Sequence, residues 1–509
     1  MKRIGNALGK LNWGRARAAF VLCLATAIAL PAQTFTTLWN FGPYPGGAQP
    51  TAGLVQATNG DLYGTTGVGG ANGNGTAFQI TTSGTLTTLY NFCSQGGTTC
   101  TDGSGVDGGV IQATNGDFYG TTAGGGAFGG GTVFKMTPTG TPTTLYSFCS
   151  LANCADGSMP IARLVQATNG DFYGTTSSGG ANGYLYFGTV FKITPTGELT
   201  TLYSFCSQTN CADGMYPAAG LIQATNGDLY GTTAYATNGL ATGTVFKITP
   251  SGTLTTLYSF CPSESNCTDG REPIAGLVQA ANGDLYGTTQ LGGTSSYCSA
   301  NDGCGTVFRL TPSGRLTRLH SFCSHINCTD GYWPVAGLVQ ATDGNFYGTT
   351  PFGGNIDLGS CGADGCGTIF KISPGGALTT LYSFCSQINC TDGANPNAVL
   401  VQDTNGILYG TTPQSGAIGD GTVFSLSVGL GLFVETQTTS GKVGAAVRIL
   451  GTNLKGATSV AFNGTAATFT VNSASEITAT VPSGATTGTV EVVTSGGTTL
   501  SSNVPFRVP

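Results

Sequence analysis

Residues 220–233 read GLIQATNGDLYGTT and residues 243–260 read GTVFKITPSGTLTTLYSF. Between them they hold four short runs, LIQA, DLYGTT, TVFKI and LTTLYSF, in which apolar or aromatic residues alternate with Thr, Ser and Lys. That period of two belongs to β-strands. Asn-Gly between the first two runs predicts a type I′ hairpin, and Pro-Ser-Gly between the last two predicts another tight turn. A Gly-rich connection joins the second run to the third. A Cys-bounded loop ending in Asp-Gly, often followed by Pro, leads onward.

The unit recurs. Tyr-Gly-Thr-Thr begins at Tyr63, Tyr119, Tyr173, Tyr230, Tyr286, Tyr347 and Tyr409, at spacings of 54 to 62 residues. One four-stranded meander cannot bury both its faces without neighbours, so seven in tandem predict the blades of a β-propeller. The LTTLYSF-type strand occurs first as FTTLWNF (35–41), then at 86–92, 142–148, 199–205, 254–260, 316–322 and 378–384, and is missing after the seventh unit. There GTVFSLSV (421–428) runs into a different sequence. The N-terminal copy is therefore expected to complete the seventh blade, closing a ring over 35–428. An open solenoid would gain nothing from the offset, whereas a ring loses its exposed edges.

Composition agrees. The chain has 83 Gly in 509 residues and only 8% charged residues, against about 25% in an ordinary domain. Exposed helix faces want Ala, Glu and Lys, so a charged helical enzyme is excluded, and irregular Gly with 21 Pro excludes collagen. Lys2, Arg3, Lys10, Arg15 and Arg17, the apolar stretch 18–30 and Pro31-Ala32 read as a secretory signal peptide over 1–32. Cys23 has no small residue just before it, which argues against a lipoprotein anchor. No other apolar run reaches 18 residues, so no membrane span is expected after cleavage. With those five cations gone, 13 basic residues face 24 acidic ones, and nucleic acid is excluded as a partner.

Sixteen cysteines remain beyond Cys23, each with a close neighbour: Cys93 and Cys100, Cys149 and Cys154, Cys206 and Cys211, Cys261 and Cys267, Cys298 and Cys304, Cys323 and Cys328, Cys361 and Cys366, Cys385 and Cys390. In an exported chain these read as eight local disulfides. Zinc held by converging pairs is the alternative.

The pattern GLVQATNGDLYGTT…GTVFKITPSGTLTTLYSF resembles the GloVer-type tandem repeats of secreted and surface bacterial proteins over about 35–428, and its NGDLYGTT core is similar to the two-component-regulator propeller repeat. The resemblance implies export and surface display, often through a C-terminal anchor, and no established chemistry. This sequence departs from it by ending in VPFRVP without an anchoring helix. Residues 430–509 are expected to form a second domain. There VGAAVRILGTNL, ATSVAFNG, ATFTVNS, EITATVP, GTVEVVTS and VPFRV are short alternating strands, which spell a small β-sandwich. GAAVRILGTNL and VAFNGTAATF resemble the IPT/TIG immunoglobulin-like domain, and that resemblance implies a spacer or adhesion module.

Catalytic groups are scarce. His320 and His325 are the only histidines, and His320 occupies the Tyr position of the fourth strand, as a packed substitution would. Asp61, Asp117, Asp171, Asp228 and Asp284 follow Asn-Gly, where turn geometry alone favours a short polar residue. Gly124–Gly126 and Gly129–Gly131 lack the following helix and Lys of a phosphate loop. A second Asp set, Asp102, Asp156, Asp213, Asp269, Asp330 and Asp392, precedes Gly in the loops between units. It reads either as turns or as a calcium ring. No other cofactor is expected.

Strand parity places the tight hairpins at one end of the ring and the long, Cys-stapled loops at the other. Loops held by a rigid scaffold carry function, so the cysteine end is the expected binding face. Loops 207–216, 262–273, 324–334 and 351–366 are its foremost contributors, with Tyr216, Asp269, Asp330, Tyr332, Trp333 and Phe352 as binding residues and Tyr297 nearby. A glycan or surface protein is the expected ligand of a non-catalytic, secreted or surface adhesion protein. The alternatives are a polysaccharide-active lyase or hydrolase and a purely structural surface component. Protection of Gly-rich loops from proteolysis is the competing account of the staples.

Overall fold

The computed structural model describes residues 33–509 apart from short breaks at 43–45, 96–99, 184–186, 237–241, 263–266, 299–302 and 355–360. The signal-peptide expectation therefore lies outside the described residues. The described residues are all-β, relieved only by short 3-10 turns, and none of the described helices is long and apolar enough to cross a membrane.

Each repeat forms a four-stranded antiparallel sheet resembling a propeller blade, ordered as the chain runs. In the fourth these are Ile222–Gln223, Leu229–Thr233, Thr244–Ile248 and Leu254–Ser259. The seventh sheet holds Val401–Gln402, Leu408–Thr412 and Thr422–Ser427, and its fourth place is taken by Thr34–Asn40 from the other end of the repeat array. Phe35 pairs with Leu426 and Asn40 with Thr422.

Every letter of Tyr-Gly-Thr-Thr has a packing reason. The Tyr is buried, and its ring lies on the next sheet's second strand, as Tyr119 does on Phe172 at 4.0 Å between centroids. The Gly leaves room for a Phe of the third strand: a Cβ on Gly231 would stand 2.6 Å from Phe246 Cζ, and the other six repeats show the same crossing. The first Thr donates to a carbonyl of the following sheet, as from Thr121 to Ala162 O at 3.0 Å. The second pairs with the Thr that opens the third strand, as Thr122 with Thr132 at 2.9 Å.

The inter-sheet bonds continue from the last repeat to the first. Thr65, Thr121, Thr175, Thr232, Thr288 and Thr349 each donate one sheet onward, and Thr411 donates to Ala52 O in the first sheet at 3.2 Å. A second ladder runs beside it. The amides of Thr58, Thr114, Thr168, Thr225 and Thr342 donate to Gln112, Gln166, Gln223, Gln279 and Gln402, and that of Thr404 returns to Gln56 Oε1 at 3.0 Å. Phe41, Leu54, Phe78, Tyr409 and Val423 share one buried cluster across the same junction.

One turn differs from expectation. Gly60 N bonds to Ala57 O and Ala57 N to Asp61 O, and of Asn59 and Gly60 only the glycine has positive φ, at 87°. A type I′ turn needs both residues left-handed. Asn59 instead stays right-handed, because its side-chain oxygen accepts from Asp61 N at 3.1 Å. The result is a type I turn closed by a left-handed glycine.

Beyond the repeats, Val434–Thr436, Ala446–Gly451, Glu476–Thr480 and Phe469–Val471 form one sheet, and Thr465–Ala466, Ser459–Phe462, Val490–Val493 and Thr499–Ser501 another. Val447, Ile449 and Ile477 from the first and Val460, Phe462, Val490 and Val492 from the second share one core. This unit is seated on the Asn-Gly end of the repeats. Ser475 Oγ donates to Thr58 O at 2.7 Å, Gln437 to Ala113 O at 3.2 Å and Asn503 to Gln340 O at 3.4 Å, while Thr452 pairs with Thr404 at 2.9 Å. Asn503 and Pro505 also close a small cleft with Thr225, Gln279 and Gly283.

Candidate functional site: the disulfide-stapled end

The cysteines are joined as their spacing predicts. Cys93 is bonded to Cys100, Cys149 to Cys154, Cys206 to Cys211, Cys261 to Cys267, Cys298 to Cys304, Cys323 to Cys328, Cys361 to Cys366 and Cys385 to Cys390. All lie at the end opposite the Asn-Gly turns, because loops between sheets pair with loops inside them: Ser158 bridges Ser178, Met215 bridges Tyr235, Arg271 bridges Leu291 and Tyr332 bridges Phe352. In the loops between sheets the second cysteine also acts through its backbone. The carbonyls of Cys100, Cys154, Cys211, Cys267, Cys328 and Cys390 each accept from the glycine three residues on, at 2.7 to 3.1 Å, so staple and Asp-Gly turn form one piece.

Cys298–Cys304 and Cys361–Cys366 staple loops within the fifth and sixth units. Their sulfurs lie beside Cys323 and Cys385, with the three in each group within 4.8 Å of one another. A Cβ on Gly130, the matching position of the second unit, would meet Cys149 Sγ at 2.7 Å, which explains that adjacency. The Asn before the second cysteine (Asn153, Asn210, Asn327, Asn389) is left-handed, φ 56–62°, a conformation Asn tolerates better than most residues.

The second Asp set holds these loops. Asp156 Oδ2 accepts from Tyr146 OH at 2.9 Å, Ser150 N at 3.0 Å and Ser150 Oγ at 2.9 Å. Asp102, Asp213 and Asp392 repeat the arrangement, and Asp269 accepts from Tyr258 OH at 2.8 Å and Cys261 N at 3.1 Å. Through Oδ2 each of these carboxylates accepts from its own loop, as the turn reading expects, while Asp102 Oδ1 is buried with no hydrogen-bond partner. Burial chiefly, and then the Asp, push the fourth-strand tyrosines up, Tyr90 and Tyr203 to about 12. In the sixth loop His320 replaces the Tyr, with Nε2 3.0 Å from Asp330 Oδ2. Burial would raise the Asp330 carboxyl, but hydrogen bonds from His320 and from Ser324 N and Oγ hold it below its ordinary range. His325 is exposed and pairs with Ser324 Oγ at 2.9 Å.

One feature of this end escapes strand-pattern reasoning. At the residue before the loop proline, Gln49, Met159, Tyr216, Glu272, Trp333 and Asn395 all have φ between 53° and 59°, and Gly105 stands at the matching place in the second loop. Left-handed backbone costs a non-glycine residue on the order of 1–3 kcal/mol, and a following proline adds its own restriction. Hydrogen bonds enforce it: Trp333 N donates to Cys304 O, Tyr216 N to Phe187 O and Met159 N to Gly130 O, while Tyr216 O accepts from Ala234 N and Met159 O from Ser177 N. The only available signal was a variable residue before proline in an otherwise uniform repeat.

Of the six expected binding residues, three converge. Tyr332 and Phe352 stack, centroids 5.4 Å apart at 22°. Trp333 stands edge-on to both, at 79° to Tyr332 and 87° to Phe352. Trp333 Nε1 donates to Gly303 O at 3.3 Å, and Tyr332 OH to Asp364 Oδ1 at 3.1 Å. Tyr216 lies two sheets away, 5.5 Å from Tyr235, whereas Asp269 and Asp330 belong to the loop-holding set. Tyr297 is exposed in the fifth unit.

A separate group of charges lies where the first strands of the repeats meet the C-terminal unit. Arg163 stands where Gly53, Gly220, Gly276 and Gly337 stand in other repeats, and it attracts Glu435. The surrounding protein pushes the Glu435 carboxyl up, and Arg163 opposes that rise, although the residue keeps accessible surface. Asp403, in the place of the usual Ala, is raised to about 7, chiefly by burial and further by Glu435.

The model of the Gloeobacter/Verrucomicrobia repeat matches residues 25–155, 150–360 and 299–481, and the chain belongs to that family. No curated protein matches it. Solved structures it is similar to include an extracellular domain assigned to a hybrid two component system of B. thetaiotaomicron, at 11% identity and TM-score 0.47 over 94% of this chain and 58% of that one, so the chain spans less than two thirds of its length. A structural genomics protein of unknown function from Bacteroides thetaiotaomicron shows 13% identity and TM-score 0.40 over 78% and 76%. An aldose sugar dehydrogenase from Streptomyces coelicolor shows 12% and 0.37 over 64% and 96%.

Proposed function

We infer that this chain is a secreted or cell-surface, non-catalytic binding protein. In this reading a signal peptide over 1–32 precedes a seven-bladed propeller over 35–428, closed by the N-terminal strand, and an IPT/TIG-like sandwich over 430–509 covers one of its ends. The return of both hydrogen-bond ladders from the seventh sheet to the first supports the ring, and eight disulfides support export. The observation that carries the binding role is the distribution of exposed apolar side chains. Among the described repeat residues, the large apolar side chains of Val68, Phe128, Leu151, Met159, Tyr297, Ile326, Ile388 and Ile418 are exposed on loops of the cysteine end, and Trp39 is the one large apolar side chain exposed elsewhere. Concentrated exposed apolar surface marks interaction sites, and short staples keep such loops from losing entropy on binding.

The ligand is a glycan or a surface protein. Purified protein immobilised against extracellular polysaccharides and envelope proteins tests the role. Binding of an envelope protein should be weakened at least tenfold by Ile326→Ser combined with Ile388→Ser, and binding of either ligand be unaffected by Gly116→Ala or Gly283→Ala at the opposite turns. Binding that follows the turns instead, or turnover of a bound polysaccharide, would overturn the reading.

A further inference from the structure

The repeats, nearly identical in their strands, differ where the backbone is most strained. Left-handed backbone costs least in glycine, yet at this position only the loop after the first sheet uses one, Gly105, and there Val106 stands in place of the proline. Elsewhere this position holds larger side chains. They are not distributed evenly. In the fourth, fifth and sixth units the position and its bridged partners carry Tyr216 and Tyr235, then Arg271 and Glu272, then Tyr332, Trp333 and Phe352. These sheets are consecutive, since Thr232 bonds to Ala275 O and Thr288 to Ala336 O. Aromatic, charged and aromatic groups therefore form one arc.

We propose that this arc is a carbohydrate subsite, with the corner made by Trp333 against Tyr332 and Phe352 receiving the C–H face of a pyranose ring and Arg271, Glu272 and Asp364 facing its hydroxyls. The proposal rests on the reading of the cysteine end as the binding end. Its chemistry follows from the geometry. An aromatic face is electron-rich and attracts the weakly positive C–H bonds that line one side of a sugar ring. A second ring at nearly 90° gives that sugar a wall as well as a floor. Sugar hydroxyls need donors and acceptors held in fixed directions, which guanidinium and carboxylate supply. A single sugar buries little apolar area, so the subsite must be pre-ordered. The enforced left-handed backbone, the bond from Trp333 Nε1 to Gly303 O and the neighbouring disulfides do that ordering. A protein partner would be met instead by the more exposed aliphatics outside the arc, such as Ile326 at 69% and Ile388 at 86% exposed, whereas the arc's aromatics are only partly exposed.

The chain has three tryptophans, Trp13, Trp39 and Trp333, so Trp13→Phe together with Trp39→Phe leaves Trp333 as sole reporter in the full chain. Titration with a soluble β-glucan, an α-glucan, a galactomannan and a xylan should give, for at least one of them, a saturable shift of Trp333 emission. In affinity gels Trp333→Ala and Arg271→Ala should each weaken retention by that polymer at least tenfold. Trp333→Phe, which keeps the packing, should cost about threefold, and Ile388→Ser less than twofold. Retention by none of the polymers, or retention with Trp333 emission and the Trp333→Ala variant unchanged, overturns the proposal. Retention lost in Ile388→Ser but kept in Trp333→Ala overturns it too, while leaving the cysteine end as the binding end. Retention unaffected by all of these and lost on substituting Ser495 and Thr498 of the C-terminal unit overturns both.

Discussion

The two ends of the repeat array are built by the same strands and treated oppositely. At the Asn-Gly end the turns are short and alike, and their carbonyls at Thr58, Ala113 and Gln340 accept hydrogen bonds from Ser475, Gln437 and Asn503 of the C-terminal unit. At the cysteine end the loops differ in length, carry every disulfide and leave apolar side chains exposed. Uniform turns give the C-terminal unit a regular seat, whereas variable loops give each repeat its own side chains without disturbing the sheet beneath. Seated there, the C-terminal unit covers the Asn-Gly end, and in the proposed function the cysteine end is the one left for ligands.

The comparison breaks most completely if the shared framework fails. Phe246→Ala empties the space above Gly231 and should cost about 3–5 kcal/mol, lowering the denaturant midpoint and, by hydrogen exchange, deprotecting both ends of the fourth sheet. Loss at only one end would mean that the ends are not coupled through the strands.

Next comes the charged seat. Asp403 is raised to about 7 from an ordinary 3.8 by burial and by Glu435. A carboxyl whose folded pKa is raised binds its proton more tightly in the native state. Stability should then be undiminished below about pH 4, fall as pH rises toward 7, and level off above. The loss is on the order of 2–4 kcal/mol. Asp403→Asn should flatten that decline, read as melting temperature at pH 4.5 and 8, and Arg163→Met should steepen it by removing the cation that opposes the rise of the Glu435 carboxyl. Both effects belong to the covered end.

The cysteine end answers more weakly. Replacing Cys206 and Cys211 together by Ser should cost about 2 kcal/mol, since only a short loop is closed, and exchange should rise within 206–214 with the Asn-Gly turn at 225–228 unaffected. A global loss of structure would show that the staple holds the sheet rather than the loop.

Much of this was legible beforehand because it is local or periodic. The seven units, their strands and the cysteine pairs follow from spacing, and the missing fourth strand after 428 pointed to the pairing of Thr34–Asn40 with Thr422–Ser427. What escaped depends on where separate segments meet. The Asp of each loop is an acceptor because a Tyr, or His320 in its place, ten to twelve residues earlier in the folded chain points at it. The Asn-Gly turn escaped because Asn59 spends its side chain on Asp61 N. Neither the seat of the C-terminal unit nor the Arg163 and Asp403 substitutions into positions mostly held by Gly and Ala carries a local pattern. The aromatic corner was half legible: Tyr332 and Trp333 adjoin in sequence, but Phe352 joins them only through the bridge between loops.

The smallest expected effect has the opposite sign and tests why the cysteine end is strained at all. Met159 sits at φ 56° before Pro160 and is 44% exposed, and apart from a long contact from Ser178 Oγ to its sulfur its side chain does little for the fold. Glycine adopts that conformation at no steric cost but gains entropy in the unfolded chain. The two terms leave Met159→Gly stabilising by roughly 0.5–1 kcal/mol. The same substitution at Trp333 should be destabilising, because there the ring packs on Tyr332 and Phe352 and bonds to Gly303 O. If Met159→Gly proves destabilising, the backbone is not strained there and the side chains before the loop prolines are retained for folding. If it stabilises, the strain is tolerated for what those side chains do on the open surface, and the residue before the proline is where this repeat varies its contacts.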